Sequence, residues 1–245
     1  MRSRSAGRAP ALTVFLVLLL ASLSGCGVPA AVVNDAGRGD LIPDDAASAP
    51  TTEVTTVRDP VENAFTVAVP VGWDSVAYSA GKFDVHREVV SSVSPDGKTV
   101  LFMGDPKLPT FIDPGSAHSV IVEFDKLLEY YEIRAYQPAE SYFPDYVTRK
   151  FGELPGFGIT SVESQPGTVS SLQKSFVDAG LPAPEAHAVE VRFEYTASGE
   201  LIHGLVVGLT LNSGSFWQVD VLGLATNRDV EEYRPMLVAM SKSKQ

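Results

Sequence analysis

The chain has 245 residues, a formal net charge of −11 and a 44% apolar composition that includes 12 Phe, 8 Tyr and 2 Trp. That suffices for one well-filled core, while the acidic balance disfavours counterion-release binding to nucleic acid or to anionic headgroups. Cys26 is the single cysteine, so an internal disulfide framework and a Cys-ligated zinc site are both excluded.

At the N-terminus, Arg2, Arg4 and Arg8 precede a mostly apolar run from Ala11 to Leu23. A basic n-region followed by thirteen such residues is the pattern of an export signal. A membrane span needs roughly 20. Leu23-Ser24-Gly25-Cys26 closes the run and resembles the lipobox of bacterial lipoproteins. The resemblance implies a diacylglycerylated Cys26 thiol, cleavage just before it, and a mature chain that begins at Cys26. It also implies a place on the extracytoplasmic side of an envelope membrane, held by lipid. Two or more acyl chains anchor durably, since each buried CH₂ contributes about 0.8 kcal/mol. Losing Arg2, Arg4 and Arg8 with the leader takes the formal charge from −11 to −14.

From Gly27 to about Asp59 the chain is rich in Ala, Asp, Pro, Thr and Gly, and its apolar residues follow no period. Such a stretch buries too little surface to offset the entropy of ordering it. The expected organisation is therefore a signal peptide over 1–25, a lipidated tether over 26–60, and one domain over 61–242.

Phe65, Val67 and Val69 alternate with Thr66 and Ala68 as a half-buried strand that ends at Pro70. Val85–Ser94 and Thr99–Met103 read as a hairpin around the Ser94-Pro95-Asp96-Gly97 turn. Pro106, Pro109 and Pro114 break the following stretch, 104–115, into loop. Val120, Phe124, Leu127, Leu128 and Tyr131 fit one helical face within Ser116–Tyr136, and Tyr142, Phe143, Tyr146 and Val147 fit another within Ala139–Phe151, where Pro144 marks a first turn or a kink. Gly158–Gln165 predicts a strand and Val169–Ala179 a helix closed by Gly180. Three clear strands follow, then a terminal helix capped by Asn227, with acids in its first turn and Lys242 and Lys244 at its end. Pro235 predicts a kink or a later start there.

This order argues for an α+β fold with a central antiparallel β-sheet flanked by helices. Phe65-Thr66-Val67-Ala68-Val69-Pro70-Val71-Gly72-Trp73 resembles the opening strand and Pro-x-Gly-Trp corner of the PsbP/Mog1 superfamily. The strand–strand–strand–helix ending resembles that superfamily too. The resemblance implies an α/β/α sandwich and no single chemistry, because its members serve different roles. The stretch from Ser94 through Pro109 is similar to secreted bacterial proteins of that architecture.

Motifs for established catalysis are missing: no Gly-x-Ser-x-Gly, no His-Glu-x-x-His, no P-loop and no EF-hand loop occurs. Asp113, Ser116 and His118 lie close in sequence, but triads assemble from distant segments and a polar loop explains them as well. Trp73 reads as a plug for the sheet end or as a ligand platform. The tyrosines 130, 131, 136, 142 and 146 read as core or as a contact surface.

Strand pairing supplies the sharper candidate. Two-residue turns at Ser198-Gly199 and Ser213-Gly214 would set Glu194 opposite His203, Leu209 opposite Gln218 and Val207 opposite Asp220. Because side chains alternate, Val191, Phe193, Tyr195, Ile202, Val206, Trp217, Val219 and Val221 then share a core face. Arg192, Glu194, His203, Gln218 and Asp220 share the other, as a candidate ligand face or weak metal site. The structural alternative is a charge ladder Glu190–Arg192–Glu194 with His203 satisfied by Glu194, worth about 0.2–1 kcal/mol per cross-strand pair. No catalytic, cofactor or metal residue is assigned. The expected role is non-catalytic docking to an envelope protein or component, through the sheet face or the 104–115 loop. Alternatives are an envelope hydrolase acting near His203 or His118, and a ligand-capturing lipoprotein with a pocket of a few hundred Å³.

Overall fold

The computed structural model describes residues 53–61, 65–82, 85–117 and 131–243. The leader, Cys26, most of the tether stretch, His118, Tyr130 and Lys244 lie outside the described residues. β1 (Val54–Arg58) and β2 (Thr66–Pro70) form a small antiparallel sheet. There follow β3 (Asp74–Lys82), β4 (Val85–Val93), β5 (Thr99–Met103), β6 (Thr110–Ile112) and β7 (Tyr131–Ile133). Next come α1 (Ala139–Phe151), β8 (Gly158–Ser164), α2 (Pro166–Asp178), β9 (Glu185–Ala197), β10 (Glu200–Asn212) and β11 (Phe216–Thr226). A 3₁₀ turn (Val230–Glu232) and α3 (Arg234–Ser243) close the described chain. The main sheet runs β3-β4-β5-β11-β10-β9-β8, with β6 continuing the edge of β11 beyond β5 and β7 alongside β6. β6 and β7 are parallel and every other pair is antiparallel.

β9, β10 and β11 are legible as strands because apolar residues recur at every second position, and both faces prove to be covered. Val191, Phe193, Val206, Trp217, Val219 and Val221 pack beneath Tyr142, Phe143, Tyr146 and Val147 of α1. On the opposite face, Leu101, Met103, Leu205 and Leu224 meet Phe65, Val67 and Val69 of the small sheet and Leu237 and Met240 of α3. Farther along that face Ala186, Ala188, Leu209 and Leu211 lie against Leu172 and Phe176 of α2. The result is an α+β sandwich, a central antiparallel sheet between helical layers. Burying each such large apolar side chain contributes about 1.5–3 kcal/mol before the entropy of ordering it is subtracted.

Three glycines on the α1-facing side make room for aromatic rings. A Cβ on Gly208 would overlap the ring of Phe143, one on Gly204 the ring of Phe193, and one on Gly223 the ring of Phe102. Gly204 and Gly223 face those aromatics directly in the ladder, so each ring lies over bare backbone. Gly180, at φ +74, ends α2 in the left-handed conformation that only glycine adopts freely.

The first long hairpin has the expected register, with Ile202 opposite Tyr195 and His203 opposite Glu194. The second is offset by two: Leu209 faces Asp220 and Leu211 faces Gln218. Its loop spans Ser213–Ser215, held by the Ser213 amide on the Phe216 carbonyl (2.9 Å) and the Gly214 amide on Asn212 Oδ1 (3.0 Å). An even offset leaves every side chain on its expected face.

Other expectations change. Val54–Arg58, inside the stretch read as tether to residue 60, pairs with β2 and so belongs to the fold. Tyr131, placed on a helical face within Ser116–Tyr136, lies in a strand, Tyr131–Ile133, beside β6, and residues 118–130 of that stretch lie outside the described residues. Asn227 does not cap the terminal helix; its Nδ2 donates to Glu200 (2.8 Å). Asp229 instead accepts from the Glu231 amide (3.0 Å) at the 3₁₀ turn, and α3 starts later, with Pro235 in its first turn where a missing N–H costs nothing. Pro144 sits in the second turn of α1. Trp73 packs edge-on to Tyr233 with centroids 6.0 Å apart, which makes it a plug for the sheet end.

Candidate functional site: a polar cleft beside the terminal helix

One end of the second sheet face remains open. There Arg192 and Glu194 of β9, His203 of β10 and Thr160 of β8 border a cleft of about 370 Å³ with Asp229 and Val230. Thr160 enters it because β8 shifts register between Ile159 and Ser161, which turns an extra residue outward. The volume lies in the range of small-ligand sites, roughly 300–1,000 Å³.

His203 Nδ1 lies 2.9 Å from Glu194 Oε1, and each side chain is 38% exposed. An open pair of this kind contributes about 0–1 kcal/mol to folding. Among the described residues no hydroxyl hydrogen-bonds to His203, and no group of three His, Cys, Asp or Glu side chains is placed to hold a metal ion.

Arg192 faces the cleft, but its guanidinium is taken up elsewhere. Its Nε donates to Glu190 (2.9 Å) and its Nη2 to Glu231 (2.5 Å). Arg234 grips the same Glu190 with two bonds of 2.8 Å and reaches Glu231 Oε2 at 2.5 Å. Glu190 is only 4% exposed, so this closed ring of two acids and two bases is the means by which a buried carboxylate is tolerated. The hydrogen bond from Arg234 chiefly holds the Glu231 carboxyl below its ordinary range, with Arg192 adding to it. Burial opposes the charge on Arg192, yet the bonds to Glu231 and Glu190 outweigh it and raise its pKa. Structurally the ring staples the 3₁₀ turn and the start of α3 to β9. The ladder expected along Glu190–Arg192–Glu194 is thus divided: Arg192 joins Glu190 and Glu231, and Glu194 is left to His203.

Gln218 and Asp220 share the face but not the cleft. Asp220 is opposite Leu209, six residues along β10 from His203, a separation of roughly 20 Å at strand rise. Oδ2 of Asp220 is buried with no hydrogen-bond partner. Burial pushes its carboxyl up to about 6, against the opposing pull of Arg87. Arg87 itself donates to Thr110 Oγ1 (3.2 Å). The five candidate residues therefore form two separate groups, and α2 and α3 cover the sheet face around them.

The 104–115 stretch, expected to be loop, holds strand β6 at Thr110–Ile112, paired with β11 and β7, and the residues before that strand are anchored too. Asp105, 6% exposed, accepts from Tyr146 Oη (2.8 Å), Lys150 Nζ (2.5 Å) and the Lys107 amide (2.9 Å). Burial alone would raise the Asp105 carboxyl, but those bonds, with Lys150 foremost, hold it below the usual range. Leu108 is buried in the α1 core as well. Tyr142 and Tyr146 are core residues, and Tyr136 packs edge-on to Trp217 with centroids 5.7 Å apart. Sequence inspection missed Glu231, Arg234, Thr160 and Asp229. The first two belong to a ring that closes across 44 residues, and a bulge leaves no periodic trace.

No described helix is long and apolar enough to cross a membrane. No protein-family model matches the chain, and no curated protein does. Among solved structures, a Pseudomonas aeruginosa protein of unknown function is 14% identical, over 74% of this chain and 89% of that one, at a TM-score of 0.25. LpqN of Mycobacterium tuberculosis, involved in cell envelope biogenesis, is 13% identical, over 80% of this chain and 91% of its own, at a TM-score of 0.28. At such scores neither likeness carries an argument about what this chain does.

Proposed function

We propose that this chain is an envelope lipoprotein, moored by acyl groups on Cys26, whose folded domain docks a basic group of a partner protein in the Glu194–His203 cleft without transforming it. The observation that carries the reading is the state of the charges around the cleft. Both arginines are taken up by Glu190 and Glu231, so the cleft's remaining acids are Glu194, which is paired with His203, and Asp229, which accepts from the Glu231 amide. An acidic recess on an acidic chain attracts a lysine or arginine side chain and repels anionic polymers. Among the described residues the hydrogen-bond partner of His203 is Glu194, a pairing that can hold the imidazole at the cleft wall for docking. The PsbP/Mog1 resemblance of residues 65–73 is compatible with this reading, since it implies no single chemistry.

Photocrosslinking in intact membranes tests it. A photoreactive residue at Thr160 is expected to capture one defined partner, and Glu194→Gln is expected to reduce capture at least tenfold. Equal capture from exposed Val177 on α2, or capture unchanged by Glu194→Gln, would exclude docking through the cleft. Hydrolysis lost selectively in His203→Ala would replace this reading with the enzyme.

A further inference from the structure

A sheet edge is an unpaired row of N–H and C=O groups, and proteins blunt such edges with charge, proline, bulges or short length. The edge strand β8 carries a register shift, Glu163 and a following Pro166. At the outer side of the β6–β7 pair, β7 has three residues, one of them Glu132. Among the described residues β3 shows no bulge or proline, and its charges, Asp74 and Lys82, stand at its two ends. It runs nine residues, its partner within the sheet is β4, and the seven residues between Asp74 and Lys82 are uncharged. Val76 is 56% and Tyr78 36% exposed.

Self-pairing has one register that suits the sequence. If two β3 strands run antiparallel about Tyr78, Asp74 of each lies opposite Lys82 of the other, Val76 opposite Ala80, and Tyr78 opposite its own copy. Ser75 then meets Gly81 and Ala77 meets Ser79, all small residues, on the face where Ser79 Oγ already donates to Asp59 Oδ2 (2.9 Å). The strand carries no net charge although the chain carries −11. A nine-residue antiparallel overlap supplies about 8–10 backbone hydrogen bonds, and the two-fold places both charge pairs and an aromatic cross-strand pair at once. We propose that β3 is a homodimerisation edge, through which two copies of this chain join their main sheets by antiparallel β3–β3 pairing centred on Tyr78. A two-fold contact of this kind is closed, so it satisfies the edge without propagating into fibres.

The test uses the full-length chain in membranes, with mild oxidation and non-reducing electrophoresis. Tyr78→Cys puts two thiols directly opposite, within the roughly 4.4–6.8 Å Cα separation a disulfide spans. Val76→Cys puts its two thiols four positions apart in register, about 13 Å by strand rise. Efficient covalent dimers are expected from Tyr78→Cys and only background from Val76→Cys, with the unsubstituted chain controlling for Cys26. Equal crosslinking of the two variants would overturn the proposal. Sedimentation of the detergent-solubilised chain then checks the register by charge. Asp74→Lys and Lys82→Asp are each expected to weaken self-association about tenfold, since each sets two like-charge pairs face to face. The double variant is expected to restore it. A double variant as weak as the singles, or a parent chain that stays monomeric, would also overturn the proposal.

Discussion

Gly208→Ala isolates what the close packing of α1 on the sheet contributes. Ordinarily a strand glycine replaced by alanine gains about 0.5–1 kcal/mol, because the unfolded chain loses freedom. Here the added methyl would lie well under 3.0 Å from Cε2, Cζ and Cδ2 of Phe143, a separation real Cβ atoms do not show. Phe143 is 0% exposed and is boxed in by Tyr142 and Tyr146, so its ring has no free volume to enter. Overpacking of this kind costs about 1–3 kcal/mol, and more where nothing can shift, so a net loss of about 1–2 kcal/mol is expected after the entropic gain. For a domain of 150–250 residues that is a fall in Tm of roughly 2–8 °C. The assay is a double-mutant cycle by urea and thermal unfolding with Phe143→Leu and the pair combined. Because the smaller leucine vacates the space above residue 208, the double variant should be more stable than the sum of the singles by at least about 1 kcal/mol. Strict additivity, or a Gly208→Ala chain as stable as its parent, would refute the argument that ring and backbone are in contact.

Other outcomes follow from the charged groups. Glu190→Gln leaves Arg234 and Arg192 facing a neutral buried amide, and a loss of about 3 kcal/mol is expected by urea unfolding, the low end for a broken buried pair because Glu231 still serves both. Asp220 and Asp105 should act on pH dependence with opposite signs. The raised Asp220 carboxyl keeps its proton in the fold after the unfolded chain has lost it, so its contribution falls as pH rises from about 4 to about 6 and stays low above that. Asp220→Asn should therefore stabilise by the order of 1–2 kcal/mol above pH 6 and change little near pH 4. The depressed Asp105 carboxyl contributes stability above the ordinary carboxylate range that is lost as pH falls through its lower folded value, so Asp105→Asn should remove part of the acid limb of a pH–Tm profile. Cys26→Ala should release the exported chain from the membrane fraction, whereas full retention in the membrane would defeat the lipid-anchor proposal.

The elements that could be foreseen are those whose cause is local. Val189 to Val221 alternates because a strand alternates, so the core face of β9, β10 and β11 was legible residue by residue, and a two-residue error in the second hairpin left that face unchanged. The Pro95-Asp96-Gly97 turn, the Gly180 helix end and the apolar face of α1 were legible for the same reason. β1 and β3 were not, because Val54–Arg58 and Asp74–Lys82 hold few large apolar residues and take their places by pairing with neighbours.

By itself the sequence determined the alternating strands and the amphipathic helices, since each depends on residues within a few positions of one another. Only the tertiary structure decided which charges remain available. Glu190 and Arg234 meet across 44 residues, and with Glu231 they engage the guanidinium of Arg192, which still lines the cleft, while strand register sets Asp220 opposite Leu209, six residues along β10 from His203. Coulomb and hydrogen-bond partners act over a few ångströms of space, and distance along the chain does not determine them.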